Sequence, residues 1–119
     1  MEIKTNIVVN LQIEGLHRWP MAGQIPGTEE VEFLNALHRH MWHITLKKQV
    51  THSDRDVEFI IFKRDVQEYL NKKYYDSNLR THNFGSKSCE MISHELLSEF
   101  DCNYVSVFED GENGAESMI

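Results

Sequence analysis

Cysteine is nearly absent from this sequence: Cys89 and Cys102 are the only two in 119 residues. A disulfide framework is therefore excluded, as is any Cys-x-x-Cys metal or redox motif. Proline is equally scarce, and both copies, Pro20 and Pro26, fall in one stretch, Trp19 to Gly27. No apolar run approaches the length needed to cross a bilayer, and polar and apolar residues alternate from the N-terminus onward. The expectation is a chain without signal peptide or membrane segment, cytoplasmic by default. Positive charge is also short, with 12 Lys and Arg against 19 Asp and Glu and a formal net charge of -7. A broad nucleic-acid surface needs clustered cations, so none is expected. Lys47, Lys48, Lys72 and Lys73 read as solvated faces. There are no internal repeats or low-complexity tracts.

What the sequence does have is strand-like alternation. At 40% hydrophobic, the length suits one domain spanning residues 1–119. Over residues 3–17 the odd positions Ile3, Ile7, Val9, Leu11 and Ile13 are apolar while Lys4, Asn6, Asn10, Gln12 and Glu14 are polar. That is the pattern of a long half-buried strand. A second strand is expected over residues 37–51, where Trp42, Ile44, Leu46 and Val50 hold the even positions. The loop of residues 19–27 and the acidic segment from Glu29 to Glu32 lie between them.

Three histidines share the inward parity of these strands: His17 in the first, His38 and His40 in the second. Residues two apart on a strand point the same way, with Cα atoms roughly 6.5 Å apart. Two imidazoles on one strand and a third from its neighbour can reach a common ion, and three neutral imidazoles with one open position are a catalytic zinc arrangement. Each histidine alone also fits an ordinary hydrogen-bonded role. Imidazole suits zinc, copper, iron or nickel, and zinc is the commonest. His43 has the opposite parity and should face away, while His52, His82 and His94 fall in or near expected loops and helix faces.

Phe59, Phe62, Val66, Tyr69 and Leu70 recur at three- and four-residue intervals, which predicts an amphipathic helix after Asp54 and Asp56. Tyr75 to Lys87 reads as a loop. Ser88 is a candidate N-cap for a second helix striped by Cys89, Ile92, Leu96 and Phe100. A third strand follows at Tyr104 to Phe108, then the turn from Asp110 to Gly114 and a short edge strand. The expected order is β-β-α-α-β-β, an α+β fold with both helices on one face of an antiparallel sheet.

Glu109 is in phase with Val105 and Val107 at the end of that third strand. A buried carboxylate costs several kcal/mol unless paired, and the amidine-like N–H edge of a guanine or pterin ring supplies two matched donors. The plainer reading is a strand-end carboxylate in water. Ser88, Cys89 and Glu90 open a helix whose free N–H groups can meet a ligand, or they are simple capping. Cys89 is either a reactive thiol at that helix start or a small buried side chain.

These residues resemble the family of 6-pyruvoyltetrahydropterin and 6-carboxytetrahydropterin synthases, which have the tunnelling T-fold. The likeness rests on Gly15-Leu16-His17-Arg18, Leu37-His38-Arg39-His40-Met41-Trp42, the helix after Asp56, Ser88-Cys89-Glu90, and Val107-Phe108-Glu109-Asp110 followed by Gly114-Ala115-Glu116. The resemblance implies Zn2+ held by His17, His38 and His40, and a pterin ring anchored by Glu109. It also implies a homo-oligomer whose sheets join into a barrel, typically a hexamer of two trimeric rings, with sites formed between chains.

Two departures bear on activity. The family's proton-transferring cysteine falls four residues before the His-x-His, where this chain has Leu34, and an alkyl side chain transfers no proton. The family's adjacent Asp-His pair corresponds to Asp76-Ser77, leaving Asp76 with the more distant His82 as candidate catalytic groups. Two functions are therefore carried forward. One is a zinc-dependent synthase-like lyase acting on dihydroneopterin triphosphate or a related pterin. The other is a non-catalytic oligomer that binds a pterin or purine-like small molecule, such as a nucleotide. A third reading makes the histidines structural and the protein an interaction module.

Overall fold

A computed structural model describes residues 1–119. Two 13-residue strands dominate, β1 (Thr5–His17) and β2 (His38–Val50). They pair antiparallel without a break from Thr5 opposite Val50 to His17 opposite His38. Between them the chain forms a 3₁₀ segment at Glu29–Asn35. Then follow α1 (Phe59–Tyr74), the short strands β3 (Tyr75–Asp76) and β4 (Thr81–Asn83), α2 (Cys89–Glu99), β5 (Tyr104–Glu109) and β6 (Asn113–Met118). The sheet order is β3-β4-β1-β2-β5-β6.

The inward parity of each long strand supplies the core. Val9, Leu11, Ile44, Leu46, Val105 and Val107 are buried against Phe62, Val66 and Leu70 of α1 and Ile92 and Leu96 of α2. Both helices thus cover one face, as the alternation requires, because the opposite parity carries Asn6, Asn10 and Gln12, all exposed. Glu58 caps α1 by accepting the Ile60 N–H, and Ser88 caps α2 by accepting that of Met91. These side chains satisfy donors that a helix start leaves free. No helix is long and apolar enough to cross a membrane.

Two expectations are corrected. The sheet is mixed rather than wholly antiparallel, because β4 runs parallel to β1 at Gly15 and Leu16. The expected loop from Tyr75 to Lys87 contains the β3–β4 hairpin, closed by Asp76, whose Oδ1 accepts the N–H groups of Asn78 and Leu79. Strands of two and three residues leave no alternation to read; the free edge of β1 induces them. The acidic segment between the long strands forms the 3₁₀ segment, and α1 takes in Lys72 and Lys73 before it ends at Tyr74.

Gly15 marks the closest packing beside the histidines. A Cβ there would lie 2.5 Å from Phe84 Cε2 and 3.0 Å from Trp42 Nε1. Only hydrogen fits at that point. The fully buried Trp42 donates its indole N–H to the Gly15 carbonyl at 3.0 Å. Its ring makes edge contacts with His17 and His40 at 4.7 and 5.7 Å between centroids. The imidazoles therefore stand on a rigid floor.

Candidate metal centre and ligand cavity

His17 and His38 are register partners, and His40 is opposite Gly15. Because paired residues of a ladder share a face, the three imidazoles converge above Trp42. One ring nitrogen from each lies within 4.8 Å of the others, close enough for all three to hold one metal ion. The hydrogen bonds at Nδ1 identify which nitrogen turns toward the cluster. Nδ1 of His17 is 2.9 Å from the Lys87 carbonyl, Nδ1 of His38 is 2.8 Å from that of Ala36, and Nδ1 of His40 is 2.8 Å from Asp110 Oδ2. Each acceptor holds a proton on Nδ1, which leaves Nε2 as the metal-facing atom.

His40 Nε2 supplies the test of fit. It is buried and has no hydrogen-bond partner, an arrangement that costs about 1–3 kcal/mol for a polar atom. A divalent cation shared with the other two Nε2 atoms would remove that penalty. The donor set is three imidazoles, which suits zinc. The residues present fit the ion.

Glu109 stands beside these nitrogens. Its Oε2 lies 2.9 Å from His17 Nε2 and 3.6 Å from His40 Nε2. The hydrogen bond from His17 holds the Glu109 carboxyl below its ordinary pKa, against the opposing effect of burial. For His17, burial works against the charged form, but hydrogen bonds to Glu109 and Lys87 prevail and raise its pKa. The carboxylate and the imidazole thus stabilise each other's charged forms.

A cavity of about 540 Å³ opens from this cluster. Its walls include His17, His38 and Glu109, the α2 start at Ser88, Cys89 and Glu90, and Leu34. Leu34 sits at the β1 end because its carbonyl accepts the Trp19 N–H at 2.8 Å. Ser88 caps its own helix while lining the cavity, so the two sequence readings of that segment coexist. Cys89 is buried. Desolvation and then the charges of Glu109 and Glu90 push its thiol up to about 12, so it is no thiolate at neutral pH.

Asp76 and His82 do not line this cavity within one chain. Asp76 is engaged in the β3–β4 turn, and His82 is held between the Glu14 carbonyl at 3.0 Å and Asn71 Oδ1 at 2.7 Å. They are not paired with each other in the ladder, where His82 faces Tyr75 and Asp76 faces Thr81. The sequence reading missed Asp110, which strand parity would turn outward. Its adjacency to Glu109 at a turn was the available signal.

Fold and site define the class: a T-fold protein with a three-histidine candidate metal centre facing a cavity. Among solved structures the chain is similar to an uncharacterized protein of Wolinella succinogenes, at 13% identity and TM-score 0.65, covering 98% of this chain and 99% of that one. It is similar to 6-pyruvoyltetrahydropterin synthase of Plasmodium vivax, at 15% identity and TM-score 0.59 over 99% and 100% of the chains. That structure is of a catalytic-residue mutant, with cysteine in place of a glutamate. The Plasmodium falciparum 6-pyruvoyl tetrahydropterin synthase matches at 16% identity and TM-score 0.58, over 98% and 99%. No family model and no curated protein matches the sequence.

Proposed function

We propose that this chain is a tetrahydropterin synthase-like protein that holds zinc at His17, His38 and His40 and binds a pterin or purine-like heterocycle through Glu109. The observation that carries this reading is the arrangement of the imidazoles, each tied down at Nδ1, with the buried Nε2 of His40 left unpartnered beside the Glu109 carboxylate. Bound zinc would polarise a hydroxyl or carbonyl oxygen of the ligand's side chain. Glu109 accepts the paired N–H donors of the ring, which orients the heterocycle along the cavity. Ser88, Cys89 and Glu90 line the same cavity. The substrate class is dihydroneopterin triphosphate or a related pterin, and the reaction is that of a lyase.

Proton transfer is where a second reading gains support. Leu34 occupies the cavity wall, the Cys89 thiol stays protonated, and Asp76 and His82 are engaged elsewhere in their own chain. In the synthase reading Asp76 or His82 acts on a site completed by a neighbouring subunit of a homo-oligomer, with a hexamer favoured. In the second reading the oligomer captures a pterin or purine nucleotide without changing it. Incubation of metal-quantified protein with dihydroneopterin triphosphate separates the two. Product formation supports the lyase, whereas stoichiometric recovery of unaltered ligand supports the binding protein.

A further inference from the structure

Asp110 touches His40 at Nδ1, while Glu109 lies nearer Nε2, and the geometry of Asp110 is over-determined. Its Oδ2 lies 2.8 Å from His40 Nδ1, its Oδ1 accepts the Met41 N–H at 3.0 Å, and its own N–H donates to the Met41 carbonyl at 2.7 Å. The residue sits at φ 58°, in the left-handed region that Asp and Asn tolerate better than other side-chain-bearing residues. This backbone turn brings next to His40 a carboxylate that strand parity alone would send outward. The consecutive residues Glu109 and Asp110 therefore flank one imidazole, the first 3.6 Å from Nε2 and the second 2.8 Å from Nδ1.

We propose that Asp110 is a positioning residue for the candidate metal centre: it fixes His40 as the Nδ1–H tautomer and turns Nε2 toward His17 and His38. The proposal rests on the metal reading given above and adds a residue to it. The physical basis is that a neutral imidazole carries its proton on the nitrogen facing an acceptor, and a carboxylate acceptor also makes the other nitrogen a better ligand. Of the three histidines only His40 has a charged acceptor at Nδ1, the nitrogen away from the other two rings; the Nδ1 atoms of His17 and His38 face backbone carbonyls.

Asp110→Asn is the informative variant because it keeps size and tolerance of positive φ. An amide has a single oxygen, so it cannot place one acceptor on the Met41 N–H and a separate one on His40. Chelator competition with zinc should show affinity lowered about 10–100-fold, the range for loss of such an outer partner. The visible spectrum of the cobalt-loaded protein should change. Nitrogen-15 chemical shifts of His40 in metal-free wild type at alkaline pH should report the Nδ1–H tautomer, and this population should fall in the variant. Unchanged zinc affinity and cobalt spectrum in a folded variant would overturn the proposal. So would an Nε2–H tautomer in metal-free wild type, a measurement that needs no variant. If wild type binds neither metal, the metal reading fails, while the tautomer measurement still decides whether Asp110 positions His40.

Discussion

His17 and His38 are the last register pair of the β1–β2 ladder, with ring centroids 4.6 Å apart. Their closeness is a property of the ladder: an unbroken 13-residue pairing fixes which residue of β2 meets the end of β1. His40 follows two residues on, opposite Gly15. The candidate centre is therefore as rigid as the sheet beneath it.

Removal of a ligand should act on metal far more than on folding. His40→Ala takes away the buried, unpartnered Nε2 but also the Nδ1 contact with Asp110 and the edge contact with Trp42, so the metal-free protein should lose about 1–3 kcal/mol of stability, which thermal unfolding reads. Zinc affinity should drop by about 100-fold or more, exceeding the effect of losing an outer partner. Elemental analysis after dialysis against a chelator checks this.

Glu109→Gln should separate metal from heterocycle. The amide replaces one acceptor oxygen by a donor, which removes a charge-assisted hydrogen bond of about 1.5–3 kcal/mol. Pterin affinity should weaken by roughly 10–100-fold while near-stoichiometric zinc remains. Calorimetric titration of the zinc-loaded variant with a pterin measures it, and unaltered affinity would remove Glu109 from the ligand site.

Gly15→Ala tests the floor of the site. Its new methyl would meet Phe84 at 2.5 Å and the Trp42 indole at 3.0 Å. Overpacking of this kind costs about 1–3 kcal/mol. Urea unfolding should give a lower midpoint, and displacement of Trp42 should weaken metal binding with it.

Glu95 should govern acid stability. It accepts hydrogen bonds from Tyr69, Tyr74, Lys73 and Lys87, joining both helices to the segment whose Lys87 carbonyl holds His17. Burial raises its pKa, but these donors outweigh it and bring the carboxyl down to about 2 from an ordinary 4.5. A depressed carboxyl stabilises the fold fully above its unfolded value and loses that contribution as pH falls through the folded one. The stability gap between wild type and Glu95→Gln should therefore be widest near neutrality and close progressively from about pH 4.5 toward pH 2. At neutrality, leaving the buried Tyr74 hydroxyl and its neighbours poorly matched should cost on the order of 1–3 kcal/mol. Circular dichroism across an acid series reads the gap.

Alternation by itself determined that β1 and β2 are strands, which faces they bury, and that His17, His38 and His40 share a face; the repeat of Phe62, Val66 and Leu70 likewise determined α1. These are local signals, because side-chain direction along a strand or helix follows from sequence spacing alone. Tertiary structure decided the rest. The parallel β1–β4 pairing depends on a free sheet edge rather than on the three residues of β4. The separation of Asp76 from the cavity depends on a turn that uses its carboxylate. Asp110 reaches His40 because a positive φ reverses the direction its parity would give. Which imidazole nitrogen faces the cavity was likewise undecidable from spacing, since the acceptors Lys87, Ala36 and Asp110 meet the rings only after the chain has folded.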